Sequence, residues 1–253
     1  MQKMVRIFIV VSFLSGLIGF QSNTATAGEP VAANTSLGDF PEDLWDDGLA
    51  LFNQENLWWL LGGAAMTLGV HEIEDPDGAA RFLNKGIIDE FSDSGNIWGD
   101  IKVQAPLALV TWGLGGATDK PEIAELGYDL SRSLLLTYGT VSVLKIGIQR
   151  TRPNGDDYSF PSGHTAAAFS TAGVVSQRYG GWAGGVAIGL GVLTGMGRME
   201  DMKHFASDVV AGATIGWIIG RNSVRNTARD DASDQTSWRL VPSIGGVAVA
   251  GRF

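Results

Sequence analysis

The chain has 253 residues, of which 45% are hydrophobic and 18% are charged, and it carries a formal net charge of −9 and no cysteine. This composition is too apolar for a disordered protein, and the acidic balance argues against nucleic acid as a partner. A chain without cysteine needs no disulfide, so its folding does not depend on the redox state of its compartment.

The first 27 residues have the pattern of a secretory signal peptide. Lys3 and Arg6 precede an apolar stretch over 7–20, and Ala25-Thr26-Ala27 matches a small-residue cleavage site. A retained membrane anchor is the alternative, but the stretch is short for a span. Cleavage removes two bases and brings the net charge to about −11. We expect export to the bacterial periplasm or cell envelope, with membrane association or integration left open.

The next segment, 28–56, is interpreted as an acidic lead-in that begins flexibly. From residue 28 to residue 100 there are fifteen acids but only two bases, Arg81 and Lys85. We interpret these acids as a solvated surface. The sequence Asp75-Pro76-Asp77-Gly78 lacks the further acids of a calcium loop and is interpreted as an exposed turn.

Six apolar segments separated by glycine, proline and charge clusters predict the main domain, 57–222. Their lengths and their alanine, leucine and glycine content favour helices, so we predict an all-α bundle of about six helices. Most are shorter than the ~20 residues of a membrane span, which leaves a soluble or a membrane-embedded bundle open. The segments are Trp58–Val70, Val103–Leu114, Leu130–Ile148, Thr165–Val175, Trp182–Met196 and Phe205–Ile219.

The end of the chain contains two segments that differ from the helical domain in composition. Residues 223–236 are polar and are interpreted as a linker. Residues 237–253 have a strand-like pattern around Gly245-Gly246, which predicts a small β-hairpin docked on the bundle.

Two short motifs supply the parts of a phosphate site. Lys145 and Arg152 are two helical turns apart, and Pro153 predicts that the helix ends at Arg152. In Pro161-Ser162-Gly163-His164, the serine is a good helix cap and the glycine lets an anion approach the first amides of the following helix. His164 would stand beside that anion. Taken singly, each motif also fits a solvated basic pair or a simple capping turn.

The third motif is Arg198-x5-His204-x3-Asp208. His204 and Asp208 are one helical turn apart, so the carboxylate can hold one ring N–H and leave the other nitrogen free to attack. A structural His–Asp pair is the alternative for this motif alone. Arg198 adds a third cation for the same anion.

Together the three motifs resemble the type 2 phosphatidic acid phosphatase family, which shares its site with class A bacterial acid phosphatases and vanadium haloperoxidases. The family signature is Lys-x6-Arg-Pro, Pro-Ser-Gly-His and Ser-Arg-x5-His-x3-Asp. Gly197 stands where that signature has serine, so one hydroxyl donor is missing. The short gap between Pro153 and Pro161 is closer to the lipid-phosphatase branch.

The resemblance implies a metal-free, cofactor-free phosphatase acting on phosphomonoesters or pyrophosphates, with phosphorylated lipids as the favoured substrates. His204 would form a phosphohistidine, Asp208 would orient it, and His164 would protonate the leaving oxygen and then activate water. The phosphate oxygens would be held by the remaining signature residues, which are Lys145, Arg152, Ser162, Gly163 and Arg198.

Three other functions remain open from the sequence. The same cradle could hold vanadate and oxidise halides, although the short chain favours a phosphatase. A phosphate- or headgroup-binding module without catalysis is a second alternative, against which the retained His164, His204 and Asp208 argue. An envelope protein attached through its terminal hairpin is a third. The exact ester and the oligomeric state are not encoded in these motifs.

Overall fold

A computed structural model of the chain describes residues 35–84, 87–232, 237–243 and 246–252. The predicted signal peptide, 1–27, lies outside these residues. Within them the chain forms nine helices and a two-stranded sheet. The elements are α1 Phe40–Ala50, α2 Gln54–His71, α3 Pro76–Leu83, α4 Ile87–Trp98, α5 Ile101–Ala117, α6 Pro121–Ile148, α7 Gly163–Tyr179, α8 Gly181–Glu200, α9 Ala206–Ala232, β1 Ser237–Ser243 and β2 Gly246–Arg252.

The all-α fold class is confirmed, and the six predicted segments lie in helices, except that Phe205 precedes the first residue of α9. Three shorter helices, α1, α3 and α4, were not predicted. The segment interpreted as an exposed turn is the start of α3: the Asp75 carboxylate accepts a hydrogen bond from the Gly78 amide at 2.9 Å, and Pro76 occupies the first turn. An aspartate cap followed by proline is a strong helix start, and it explains this correction.

The segment interpreted as a polar linker is largely helical as well. Helix α9 continues to Ala232, so it covers most of 223–236. No glycine or proline lies between Gly220 and the end of this helix, and polarity alone does not stop a helix. Strands β1 and β2 then pair antiparallel, with Ser237 opposite Arg252 and Ser243 opposite Gly246.

Helix α7 is the centre of the bundle and packs directly on α9. Its alanines, including Ala166 and Ala168, have no exposed surface. The facing side of α9 carries glycines four residues apart. A Cβ added at Gly216 would lie 2.0 Å from the Ala166 carbonyl oxygen, and one added at Gly220 would lie 2.0 Å from the Ser170 carbonyl oxygen. Only glycine permits this backbone contact, which brings the beginnings of α7 and α9 together.

Part of the acidic N-terminal region is buried, which corrects its interpretation as a solvated surface. Asp47 has no exposed surface, and Asp43 and Asp47 lie 3.3 Å and 3.6 Å from the guanidinium of Arg132, a buried residue of α6. Buried charges require such partners because water no longer solvates them. The acids of α1 therefore dock this helix on the bundle.

The outer surface of the bundle exposes several large apolar side chains. On α2 these include Trp58, Met66 and Leu68, with 70%, 61% and 66% of their surface exposed. None of the helices in the described part of the chain combines the length and hydropathy required to span a bilayer.

Candidate active site

The end of α6 places the first cation of the site. The helix ends at Ile148, four residues before the predicted end, because Gln149 takes a left-handed backbone conformation with φ 51°. Lys145 thus lies in the last turn. Its Nζ donates hydrogen bonds to the carbonyl oxygens of Tyr158 at 2.6 Å and Ser159 at 3.4 Å. These neutral acceptors fix the ammonium group without neutralising its charge.

Arg152 lies in the loop between α6 and α7. The loop is held by the Arg152 amide, which donates to the Asp156 carbonyl at 2.7 Å, and by the Asn154 amide, which donates to the Met202 carbonyl at 3.1 Å. The Nε atom of Arg152 is buried and has no hydrogen-bond partner among the described residues. No carboxylate in that part of the chain lies within ion-pair distance of its guanidinium.

The motif with the first histidine forms the start of α7, as predicted. Ser162 occupies the N-cap position, but its hydroxyl bonds to the Thr165 hydroxyl at 2.9 Å and does not cap the helix. Its amide donates to the Asp208 carbonyl at 3.0 Å, which ties α7 to α9. A Cβ added at Gly163 would lie 4.0 Å from Cε of Lys145. The first amides of α7 therefore lie beside the lysine side chain, where an anion would be favoured.

His164 is the first residue after this glycine and packs closely on Gly99. A Cβ at Gly99 would lie 2.9 Å from the His164 carbonyl oxygen, so a larger residue there would displace the histidine. Burial lowers the pKa of His164 to about 4, and the positive charges of Arg198 and Arg152 contribute to the shift. The imidazole is therefore neutral at pH 7 when the site holds no anion.

The third motif spans the end of α8 and the beginning of α9. Nη1 of Arg198 lies 3.3 Å from both Asp201 and Asn96. The Arg198 carbonyl accepts a hydrogen bond from the His204 amide at 3.2 Å. The chain therefore turns after α8, and the backbone of His204 lies beside that of Arg198. His204 precedes the first residue of α9, and Asp208 lies in its first turn, so the two are not on consecutive turns of one helix.

His204 and Asp208 face each other at the base of the site. Both are buried, and the His204 Nδ1 lies 3.6 Å from Oδ2 of Asp208. This separation is too long for a hydrogen bond, and Nδ1 has no hydrogen-bond partner among the described residues. Such contacts commonly shorten when substrate binds. Burial and the charges of Lys145 and Arg198 lower the pKa of His204 to about 4 against the opposing effect of Asp208.

Electrostatic coupling shows that the three motifs share one environment. Burial first, and then the charges of Arg152 and Arg198, lower the pKa of Lys145 to about 8. The pKa of Arg198 is also lowered, by burial and by Arg152. Positive charge on His204 also acts to lower the pKa of His164. The predicted residues thus form one cluster in which excess positive charge surrounds two neutral imidazoles.

Three further residues contact Asp208, and the motifs did not predict them. Oδ1 of Asp208 accepts a hydrogen bond from Arg150 at 2.8 Å, and Oδ2 accepts one from the Ser159 hydroxyl and one from the Phe205 amide at 2.8 Å. Burial alone would raise the pKa of Asp208, but His204, Ser159, Phe205 and Arg150 outweigh it and lower the pKa. Arg150 was visible as a second arginine beside the motif, whereas Ser159 had no distinguishing pattern.

Comparison with known proteins finds similarity to one superfamily in the part of the chain that carries the site. The sequence profile of the PAP2 superfamily matches residues 154–230. The lipid A 1-phosphatase of Porphyromonas gingivalis is 36% identical over 91 residues, which are 34% of this chain and 20% of that protein. The lipid A 4'-phosphatase of Helicobacter pylori is 31% identical over 101 residues, which are 35% of this chain and 51% of that protein. The aligned parts thus span a fifth and about half of these relatives.

Two crystal structures are also similar. Aquifex aeolicus LpxE has 27% sequence identity and a TM-score of 0.48, covering 58% of this chain and 92% of its own. The transmembrane PAP2-type phosphatidylglycerolphosphate phosphatase of Bacillus subtilis has 18% identity and a TM-score of 0.49, covering 78% of this chain and 98% of its own.

Proposed function

We propose that the chain is a PAP2-type phosphatase that transfers the phosphoryl group of a phosphorylated lipid to His204 and then to water; the match of residues 154–230 to the PAP2 superfamily supports this proposal. One observation carries this proposal. Lys145, Arg152 and Arg198 surround two neutral imidazoles, and among the described residues only Arg198 has a carboxylate partner within ion-pair distance. A phosphate group supplies the negative charge that this cluster lacks.

The first chemical step forms a bond between Nε2 of His204 and phosphorus and breaks the ester P–O bond. The electron pair of that bond leaves with the lipid oxygen, which takes a proton from His164. In the empty site His164 is neutral, with a pKa of about 4. A bound phosphate raises this pKa because it places negative charge beside the ring, so the proton enters the site together with the substrate.

The second step hydrolyses the phosphohistidine. The water oxygen bonds to phosphorus while neutral His164 takes a proton from that water. The electrons of the P–N bond return to His204. Asp208 opposes the positive charge that His204 carries in the intermediate. The products are inorganic phosphate and free enzyme.

The cradle stabilises the charge on the three equatorial oxygens in both steps. Lys145, Arg152, Arg198 and the first amides of α7 provide donors around one point, and positioning with electrostatic stabilisation accounts for most of enzymatic phosphoryl transfer. These fixed cations supply the charge that a metal ion supplies in other phosphatases. We therefore expect activity to be unchanged by dialysis against EDTA.

We further propose that the substrate is presented at a membrane surface. Trp58, Met66 and Leu68 expose apolar surface on α2, and this helix leads within three residues to Glu74, which lies in the polar network behind the site. Because the matched relatives are lipid A phosphatases by name, the phosphates of lipid A are the first substrates to test, followed by phosphatidate and phosphatidylglycerol phosphate.

A substrate panel tests both proposals. The purified chain, with and without EDTA, is assayed for phosphate release from lipid A, phosphatidate, a prenyl pyrophosphate and p-nitrophenyl phosphate. We expect the highest kcat/KM for a lipid substrate presented in vesicles. Equal kcat/KM for soluble and lipid esters would contradict the membrane proposal, and phosphate binding without turnover of any ester would contradict the phosphatase.

A further inference from the structure

Arg150 forms a bridge between the site and a distant carboxylate. Its Nη1 donates to Oδ1 of Asp208 at 2.8 Å, and its Nη2 donates to Oε1 of Glu74 at 2.5 Å. The Glu74 side chain is only 7% exposed, and its other oxygen accepts hydrogen bonds from the amide and hydroxyl of Ser207 at 3.1 and 2.7 Å. The bridge thus joins the end of α2, the loop after α6 and the first turn of α9.

The guanidinium in this bridge cannot rotate freely. Nη1 also donates to the Ser207 hydroxyl at 2.8 Å, and the carbon at the centre of the guanidinium lies 3.9 Å from the centre of the Phe205 ring. A planar group that donates in two directions and stacks on an aromatic face fits this place, and a lysine ammonium does not. Arg150 therefore fixes the plane of the Asp208 carboxylate.

The orientation of the Asp208 carboxylate determines which ring nitrogen of His204 carries the proton. Oδ2 is the oxygen that faces the His204 Nδ1, at 3.6 Å, and Oδ1 is the one held by Arg150. If Oδ1 lost its donor, the buried carboxylate would turn or take a proton, and its negative charge would no longer face Nδ1 of His204. The ring could then carry its proton on Nε2, the nitrogen required as nucleophile.

Glu74 balances the charge of this arrangement. Arg150 alone would offset the negative charge of Asp208 and weaken its effect on His204. The carboxylate of Glu74 on the far side of the guanidinium restores that negative charge, so charges alternate along the line Glu74, Arg150, Asp208, His204. His71 completes the outer end, with Nδ1 at 2.7 Å from Oε1 of Glu74.

We propose that Glu74 and Arg150 are positioning residues for the nucleophile: through Asp208 they keep the proton of neutral His204 on Nδ1 and leave Nε2 free to attack phosphorus. The inference rests on the proposed function. A purely structural clamp between α2 and α9 is the alternative. The chain contains an example of such a clamp that does not contact Asp208. There Arg221 of α9 donates a hydrogen bond of 2.7 Å to Glu55 of α2.

The experiment reads the histidine tautomer directly and does not need turnover. The full chain contains three histidines, so ¹⁵N-histidine labelling gives three imidazole spectra, which His71→Gln and His164→Gln variants assign. In the wild type we expect the proton of neutral His204 on Nδ1. We expect Arg150→Met and Glu74→Gln to move a measurable fraction of it to Nε2, and Arg221→Gln to move none.

Kinetics on the same variants separate positioning from binding. We expect kcat to fall about 10- to 100-fold in Arg150→Met and less in Glu74→Gln, as for other residues that orient a catalytic group. The dissociation constant of inorganic phosphate should change less than about threefold, because the cradle is intact. Arg150→Lys should restore only part of kcat, since an ammonium cannot donate along both directions of the bridge.

The outcomes separate the two proposals. A His204 tautomer that stays on Nδ1 in Glu74→Gln and Arg150→Met, with kcat equal to that of Arg221→Gln, would overturn the inference. A shifted tautomer in a chain that hydrolyses no phosphate ester would support the inference and contradict the phosphatase. If Arg150→Met does not fold, Glu74→Gln alone decides, because it keeps the size and shape of the side chain and removes its charge.

Discussion

Two clusters of charged side chains lie along α6 and differ in how their charges are balanced. Around Arg132, in the first half of the helix, two guanidinium groups contact four carboxylates. Arg132 lies 3.3–3.6 Å from three of them, and Arg178 lies 2.5 and 3.2 Å from two. The carboxylates are those of Asp43, Asp47, Asp129 and Glu125. This cluster is buried and holds α1, α6 and α7 together.

The second cluster is thirteen residues further along α6, about 20 Å by the rise of the helix. It contains Lys145, Arg152 and Arg198, and among the residues that the structure describes only Arg198 contacts a carboxylate, that of Asp201. Cations held together with few counter-charges do not stabilise a fold, because they repel one another. The comparison therefore separates a cluster that maintains the structure from one that we propose binds an anion.

The largest effect should come from removing the proposed nucleophile of the second cluster. We expect His204→Ala to lower kcat by about 10⁴-fold or more, because no other group in the site can form the covalent intermediate. Phosphate release from the best substrate of the panel gives the measurement, and circular dichroism verifies the fold. Activity within tenfold of wild type would refute the assignment.

His164→Ala should show a loss that depends on the leaving group. For a lipid ester, whose alkoxide needs a proton, kcat/KM should fall by about 10²- to 10⁴-fold. For p-nitrophenyl phosphate the loss should be at least about tenfold smaller, because p-nitrophenolate leaves without a proton. Equal losses for both esters would show that His164 is not the proton donor of the first step.

Replacing one arginine by glutamine in each cluster tests whether the first cluster serves stability and the second serves catalysis. Arg152→Gln should lower kcat/KM by about 10²- to 10³-fold and leave the melting temperature unchanged or raised. Arg132→Gln should instead destabilise the fold by about 3–5 kcal/mol, because it removes the buried cation that offsets the charges of Asp43, Asp47 and Asp129. Thermal unfolding and kinetics on both variants give the answer; a destabilised Arg152→Gln protein would contradict the contrast between the clusters.

The smallest effect concerns pH. Burial and Arg152 lower the pKa of Lys145 to about 8. Lysine is cationic below its pKa and neutral above it, so the cradle loses one charge as the pH rises through about 8. Since kcat/KM reports the free enzyme, it should decline above that pH. In Lys145→Arg the side chain stays charged and the decline should disappear. The same alkaline decline in both proteins would exclude Lys145 as its cause.

The sequence predicted the long helices and the three motifs because both are local signals: apolar segments of helical length, and residues at fixed spacings. It did not predict the roles of the N-terminal acids. Asp43 and Glu74 have the same sequence pattern as solvated acids, and their partners Arg132 and Arg150 are more than 70 residues away. Only the packing of α1 and α2 on the bundle shows that these acids are paired.

The backbone conformation at His204 could not be predicted from residue spacing either. A spacing of four residues predicts that His204 and Asp208 share a helix, whereas His204 lies in the turn before α9. The Arg198 carbonyl bonds the His204 amide and sets that turn. The structure places the two side chains 3.6 Å apart, but tertiary contacts and not a shared helix determine this geometry.

The covalent intermediate is the most direct test of the central claim. His164→Ala should form phosphohistidine with p-nitrophenyl phosphate and hydrolyse it slowly, because the group that activates water is missing. Quenching the reaction in base, which preserves phosphohistidine, and mapping the labelled peptide by mass spectrometry reads the site of attachment. We predict phosphate on His204 and none in the His164→Ala/His204→Ala double variant. Phosphate on another residue, or nitrophenolate release with no phosphoprotein at any time, would contradict the account.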